Sequence, residues 1–138
     1  MAVRTKFEAS DDIGCFMKLT NAYCLVSAEG QDHIYESLQN DMGALPVVAI
    51  TIAGTKSIGR MVVGNKNGLI VPSTITDEEM EALKAGLPAD IKVAKSDEKL
   101  SALGNCIVCN DRVALVHPEL DAETEALIAE VLNVEVYK

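Results

Sequence analysis

Apolar and polar residues follow one another along this chain in a block that comes round three times. Gly14, Gly59 and Gly104 are spaced 45 residues apart, and each follows an aliphatic residue: Ile13, Ile58 or Leu103. Each glycine opens a run of two short apolar stretches split by a polar segment, over residues 14–26, 59–71 and 104–116. The splits hold Thr20-Asn21, Asn65-Lys66-Asn67-Gly68 and Asn110-Asp111. Asn, Asp and Gly tolerate the positive φ of tight hairpin turns, so each run is expected to form a β-hairpin.

A helix signal follows each hairpin. Thr76-Asp77-Glu78-Glu79 reads as a capping box, with Thr76 as N-cap and Glu79 reaching back to it. Met80, Leu83 and Leu87 then form an i, i+3, i+7 apolar stripe, and Gly86 is expected to stop the helix in the left-handed conformation. In the third block Asp121 is placed to cap, and Leu127, Ile128, Val131 and Leu132 form the apolar face. The first block predicts a weaker helix over about Asp32 to Asn40, with Ile34 and Leu38 inward. A third strand closes each block, over 46–50, 91–94 and 134–137. The unit is thus β-β-α-β. The expected architecture is a single α/β repeat domain with modules at about 1–54, 55–99 and 100–138. One such unit cannot bury both its sheet and its helix, so neighbours must stack.

Composition agrees with a folded chain: 49% of the 138 residues are hydrophobic. Only 4% are aromatic and Trp is absent, so the core is built from Val, Ile, Leu, Ala and Met. The formal charge is −9, from 21 acidic and 12 basic residues. That field opposes broad docking on phosphate and favours a basic protein partner. Solubility alone is the other reading of the acid excess. No apolar run approaches the roughly 18 residues of a membrane span, and residues 1–7 lack the apolar core of a signal peptide. Four Cys among apolar neighbours point to buried thiols in a reducing compartment, cytosol or nucleus.

Little of the chemistry-bearing inventory is arranged for catalysis. Cys106-Ile107-Val108-Cys109 matches C-x-x-C, but a zinc site needs two further ligands at compatible spacing. On the predicted strand Cys106 and Cys109 would face opposite sides. His33 and His117 are the two histidines, and no Cys stands in the electropositive setting that activates a thiol. No glycine pattern for nucleotide binding is present. Asp77, Glu78, Glu79 and Glu81 read as a helix N-terminus and its solvated face. What remains is a polar set at equivalent places in the modules. Arg60 and Asn105 follow the module glycines directly, while Asn65 and Asn110 sit at hairpin turns. In a ring or arc these side chains would gather at one end. Turn formation accounts for Asn65 and Asn110. It accounts less well for Arg60 and Asn105, which are the better binding candidates.

These residues resemble the eukaryotic translation initiation factor 6 family, ribosome anti-association factors. The resemblance runs through the whole chain. Its most specific strings are Met1-Ala2-Val3-Arg4, Ile13-Gly14-Cys15-Phe16, Lys18-Leu19-Thr20-Asn21, Ser57-Ile58-Gly59-Arg60-Met61 and Gly68-Leu69-Ile70-Val71-Pro72. To these are added Leu100-Ser101-Ala102-Leu103-Gly104-Asn105 and Asn110 through Pro118.

The resemblance implies a pentein-type α/β propeller of five β-β-α-β repeats, of which three are present here, with two more and a flexible tail in complete members. It implies a non-enzymatic monomer that uses no cofactor, binds the large (60S) ribosomal subunit and sterically blocks joining of the small (40S) subunit. The implied contacts are ribosomal protein uL14 chiefly, with eL24 and the sarcin–ricin loop of rRNA nearby. Release is implied to need the Shwachman–Bodian–Diamond protein and an elongation-factor-2-like GTPase. The implied location is cytoplasmic and nuclear, including the nucleolus. Arg60 and Asn105 are the expected large-subunit contacts, with Asn65 and Gly14 as weaker ones. The alternative is an amidine-processing enzyme of the same fold or its degenerate relative, whose essential Cys, His and acid are not recognisable here. A scaffold without ribosome affinity is a third reading.

Overall fold

The computed structural model describes residues 4–30 and 32–138, so Met1-Ala2-Val3 at the head of the resemblance lies outside the described residues. The first unit begins with a four-residue helical turn, α1 (Ile13–Phe16). It continues through β1 (Met17–Leu19), β2 (Cys24–Ser27), α2 (Asp32–Met42) and β3 (Val47–Ile50). The second unit repeats the order as α3 (Ile58–Met61), β4 (Val63–Gly64), β5 (Gly68–Pro72), α4 (Asp77–Gly86) and β6 (Lys92–Ser96). The third is α5 (Leu103–Cys106), β7 (Ile107–Cys109), β8 (Val113–Val116), α6 (Ala122–Leu132) and β9 (Glu135–Tyr137). Each unit makes its own three-stranded sheet. A hairpin supplies the antiparallel pair, and the helix carries the chain across to a parallel third strand.

The helices are the mortar between sheets. Leu83 of α4 and Leu87 just after it pack between Leu25, Val48 and Ile50 of the first sheet and Leu69 and Val71 of the second. Ile128, Val131 and Leu132 of α6 fill the same space between Val63 and Ile70 on one side and Ala114 and Val116 on the other. Ile34 and Leu38 of α2 cover the first sheet's remaining face with Phe7 and Val26. Each fully buried Leu or Ile contributes about 1.5–3 kcal/mol, so the junctions between units are as much core as the units themselves.

The same cross-strand row of the first and second sheets faces the following unit. In the second sheet, Val63, Ile70 and Ala94 are register partners, and Val63 and Ile70 are 1% and 0% exposed. The equivalent row of the third sheet is Val108, Leu115 and Tyr137, exposed at 65%, 56% and 51%.

Several expectations change in detail. The module glycines do not begin strands. They lie in the turns α1, α3 and α5, and the first strand starts three or four residues later. The hairpin tips contain no positive φ among the described residues. Thr20, Asn65 and Asn110 close them instead, each side-chain oxygen accepting the backbone N–H groups two and three residues on. Gly86 is not left-handed. The helix α4 ends because Leu87 precedes Pro88, which drives Leu87 to an extended backbone (φ −82°, ψ 152°). Gly86 instead stands close to the first sheet: a Cβ there would lie 3.0 Å from both methyls of Val48. Asp121 occupies the N-cap position of α6 without a side-chain cap bond. Cys106 ends α5 rather than lying on the strand with Cys109.

Candidate functional site

The turns α1, α3 and α5 pack against one another at one end of the inner strands β1, β4 and β7. That packing has a simple cause. A Cβ on Gly59 would overlap the carbonyl oxygen of Gly14, and one on Gly104 would overlap that of Gly59. Only glycine lets the backbones come this close. Nothing lies near the Cβ position of Gly14, which begins the series.

Next to these glycines, Arg60 and Asn105 are exposed. Neither side chain has a hydrogen bond or ion pair among the described residues, whereas Lys56 nearby pairs with Glu8 at 3.1 Å. A guanidinium and an amide thus project from adjacent, equivalent turns with all their side-chain donors uncommitted. Gly14 belongs to the first turn of the same arc and offers only backbone.

Asn65 lies at the opposite end of the inner strands, so the polar set does not gather at one end. It is 3% exposed. Its Nδ2 donates to Asn110 O at 3.1 Å and Leu132 O at 2.8 Å, while Oδ1 accepts from Asn67 N and Gly68 N. The side chain is fully used: Oδ1 closes its own turn and Nδ2 joins the second unit to the third. Sequence reading placed Asn65 in a turn; a bond to Leu132, 67 residues away, leaves no local signal.

Two buried carboxylates hold the junctions. Glu79 accepts from Thr51 Oγ1 (2.6 Å), Ala53 N (2.8 Å), Gly54 N (3.0 Å) and Thr76 N (2.9 Å). It therefore completes the capping box and also ties α4 to the linker from the first unit. Burial pushes its carboxyl up, but the bonds from Thr51, Thr76, Gly54 and Ala53 outweigh that and leave it below the usual carboxylate range. Glu98 behaves alike: burial raises it, and bonds from Asp121, Leu100, Thr124 and Lys99 bring it below the usual range. A third carboxylate, Asp111, is held low chiefly by the Lys66 N–H, with help from Asn21.

The thiols lack the setting of a nucleophile. All four are free. Burial pushes Cys24 up to about 11. Burial also raises Cys109, against the pull of Lys18, and its Sγ donates to Gly64 O at 3.4 Å. His117 is exposed, its Nδ1 accepting from Glu119 N. No group of three or more His, Cys, Asp or Glu is gathered for a metal among the described residues.

Fold and surface together define a mixed α/β repeat protein that presents side chains from successive units. The profile of the eIF-6 family matches residues 2–138, and the chain belongs to that family. It is 53% identical to eukaryotic translation initiation factor 6 of Saccharomyces cerevisiae, 52% to that of Drosophila melanogaster and 51% to eukaryotic translation initiation factor 6-2 of Arabidopsis thaliana. Each alignment covers 100% of this chain and 57% of the relative, so the chain spans a little over half the length of those proteins. The family and these relatives are translation initiation factors, not enzymes.

Proposed function

We propose that this chain is the docking part of a factor that binds the large ribosomal subunit and keeps the small subunit from joining it. The observation that carries the reading is the pair Arg60 and Asn105, exposed and uncommitted on adjacent turns of a chain whose relatives are initiation factors. A steric blocker needs no reacting groups, only occupancy. A standard interface of about 1,600 Å² in total supports tight binding when its anchors are good.

The net charge of −9 favours a basic ribosomal protein over bare rRNA as the main contact. Ribosomal protein uL14 takes that part in this reading, with eL24 and the sarcin–ricin loop beside it. The Shwachman–Bodian–Diamond protein and an elongation-factor-2-like GTPase release the factor, which works as a monomer in nucleolus, nucleus and cytoplasm. The bare row Val108–Leu115–Tyr137 supports continuation of the repeat toward a pentein ring of five units, because the same row in the second sheet is covered by the next unit.

Co-sedimentation with purified ribosomal subunits tests the docking face. The chain is expected to pellet with large subunits and stay off small ones, and Arg60→Leu or Asn105→Ser to weaken pelleting with the fold intact. Unchanged pelleting of both variants removes this face from the interface.

A further inference from the structure

The arc α1–α3–α5 is held at two levels: at the turns with their buried junctions, and at the far end of the molecule. At the arc itself the backbones meet through glycine and carbonyl oxygen, and Ile58 and Leu103 of the same turns are buried in the clusters that join neighbouring units. Glycine permits that closeness, and contacts farther out along the strands add to the core in setting how far one unit tilts on the next. The inner strands then run about 10 Å, three residues' rise, to the hairpin tips. There the carboxylate of Asp111 accepts from Lys66 N at 3.0 Å and from Asn21 Nδ2 at 2.5 Å. One side chain of the third unit thereby holds both the second and the first. Asn21–Asp111 is the sole hydrogen bond between the first and third units among the described residues. Asn65 adds a second lock between units two and three through Asn110 O and Leu132 O.

We propose that Asn21, Asn65 and Asp111 are positioning residues that set the curvature of the arc, and so the placement of Arg60 relative to Asn105, without touching the partner. The proposal rests on the reading of Arg60 and Asn105 as the docking face. Opening the tips by about 1 Å on an arm of about 10 Å turns one unit by about 6°, enough to move the end of an arginine side chain by more than the ~0.5 Å that binding groups tolerate.

The test exploits the direction of the Asn21–Asp111 bond. Asn21→Asp sets two carboxylates face to face, and the double variant Asn21→Asp/Asp111→Asn restores a donor–acceptor pair running the other way. Two quantities are read on the whole chain: the dissociation constant for purified large ribosomal subunits, and the 1H–15N side-chain signals of Arg60 and Asn105. Asn21→Asp is expected to weaken binding about five-fold and shift both signals, with the double variant returning to within about two-fold of the parent. Ile34→Val, which loosens the core of the first unit away from the tips, is expected to bind as the parent does. Parent-like binding by Asn21→Asp, failure of the double variant to rescue, or equal weakening by Ile34→Val overturns the proposal. Arg60→Leu and Asn105→Ser are measured alongside. If they bind as the parent does, the docking face itself falls and this inference with it. If they weaken binding while Asn21→Asp does not, the positioning role alone is wrong.

Discussion

Glu79 on α4 accepts a hydrogen bond from the Thr51 hydroxyl in the linker at 2.6 Å, and 45 residues on the same junction is built with the partners exchanged. There Thr124 is on the helix and Glu98 is in the linker. The requirement conserved between the two junctions is a buried carboxylate surrounded by N–H and O–H donors; which side supplies it does not matter. Both carboxylates are nearly sealed from water, so each depends on those donors to remain charged.

A pH dependence follows from their depressed titration. The folded values lie below the unfolded one, about 4.3, so the stabilisation is fully present above that value and is lost as pH falls through the folded values. Chemical denaturation between pH 7 and 3 should show stability falling below about pH 5. Glu79→Gln should cost about 2 kcal/mol at pH 7, with the deficit shrinking in acid. An equal deficit at both ends of the range would show that the charge is not what matters.

The glycine series predicts an asymmetry. Gly59→Ala and Gly104→Ala must separate two backbones and should each cost about 2–3 kcal/mol in urea unfolding. Gly14→Ala meets nothing and should change stability by no more than about 0.5 kcal/mol. Equal effects at all three positions would contradict the packing of α1, α3 and α5.

Much of this fold was legible because its signals are local and repeated. The capping box of Thr76 and Glu79 lies within four residues, and the apolar stripe Met80, Leu83 and Leu87 within eight. The spacing of Gly14, Gly59 and Gly104 announced the repeat. Gly86 misled because glycine has two uses; close approach to Val48 cannot be told from a left-handed stop without knowing which sheet lies opposite. The hairpin asparagines were correctly placed in turns, but for their side-chain acceptors rather than for tolerance of positive φ. The roles of Glu98, Asn21 and Asp111 are tertiary: Glu98 relies on Asp121, 23 residues away, and Asn21 and Asp111 on each other across 90, so no short window along the chain contains them. Arg60 and Asn105 stood out because turn formation did not explain them, and their side chains indeed take no part in the turn.

Asn65→Asp tests the lock between the second and third units. The substitution directs a carboxylate at the carbonyl oxygens of Asn110 and Leu132 in a buried place. A loss of about 3 kcal/mol is expected at pH 7, smaller at pH 4, measured by thermal unfolding. A neutral result would mean that the two Nδ2 bonds do not form in solution.

The open row of the third sheet should be silent in stability and visible to a dye. Leu115→Ser is expected to change unfolding free energy by less than about 0.5 kcal/mol while lowering fluorescence of an apolar-surface probe. Loss of stability near 2 kcal/mol would show that Leu115 is covered in the 138-residue chain.

Light scattering during subunit joining tests the anti-association claim most directly. Large subunits pre-incubated with this chain are mixed with small subunits at a magnesium concentration that favours joining. The expected result is a dose-dependent loss of the joining signal, with Asn105→Ser needing a higher dose. Undiminished joining by large subunits that carry the bound chain would contradict the account.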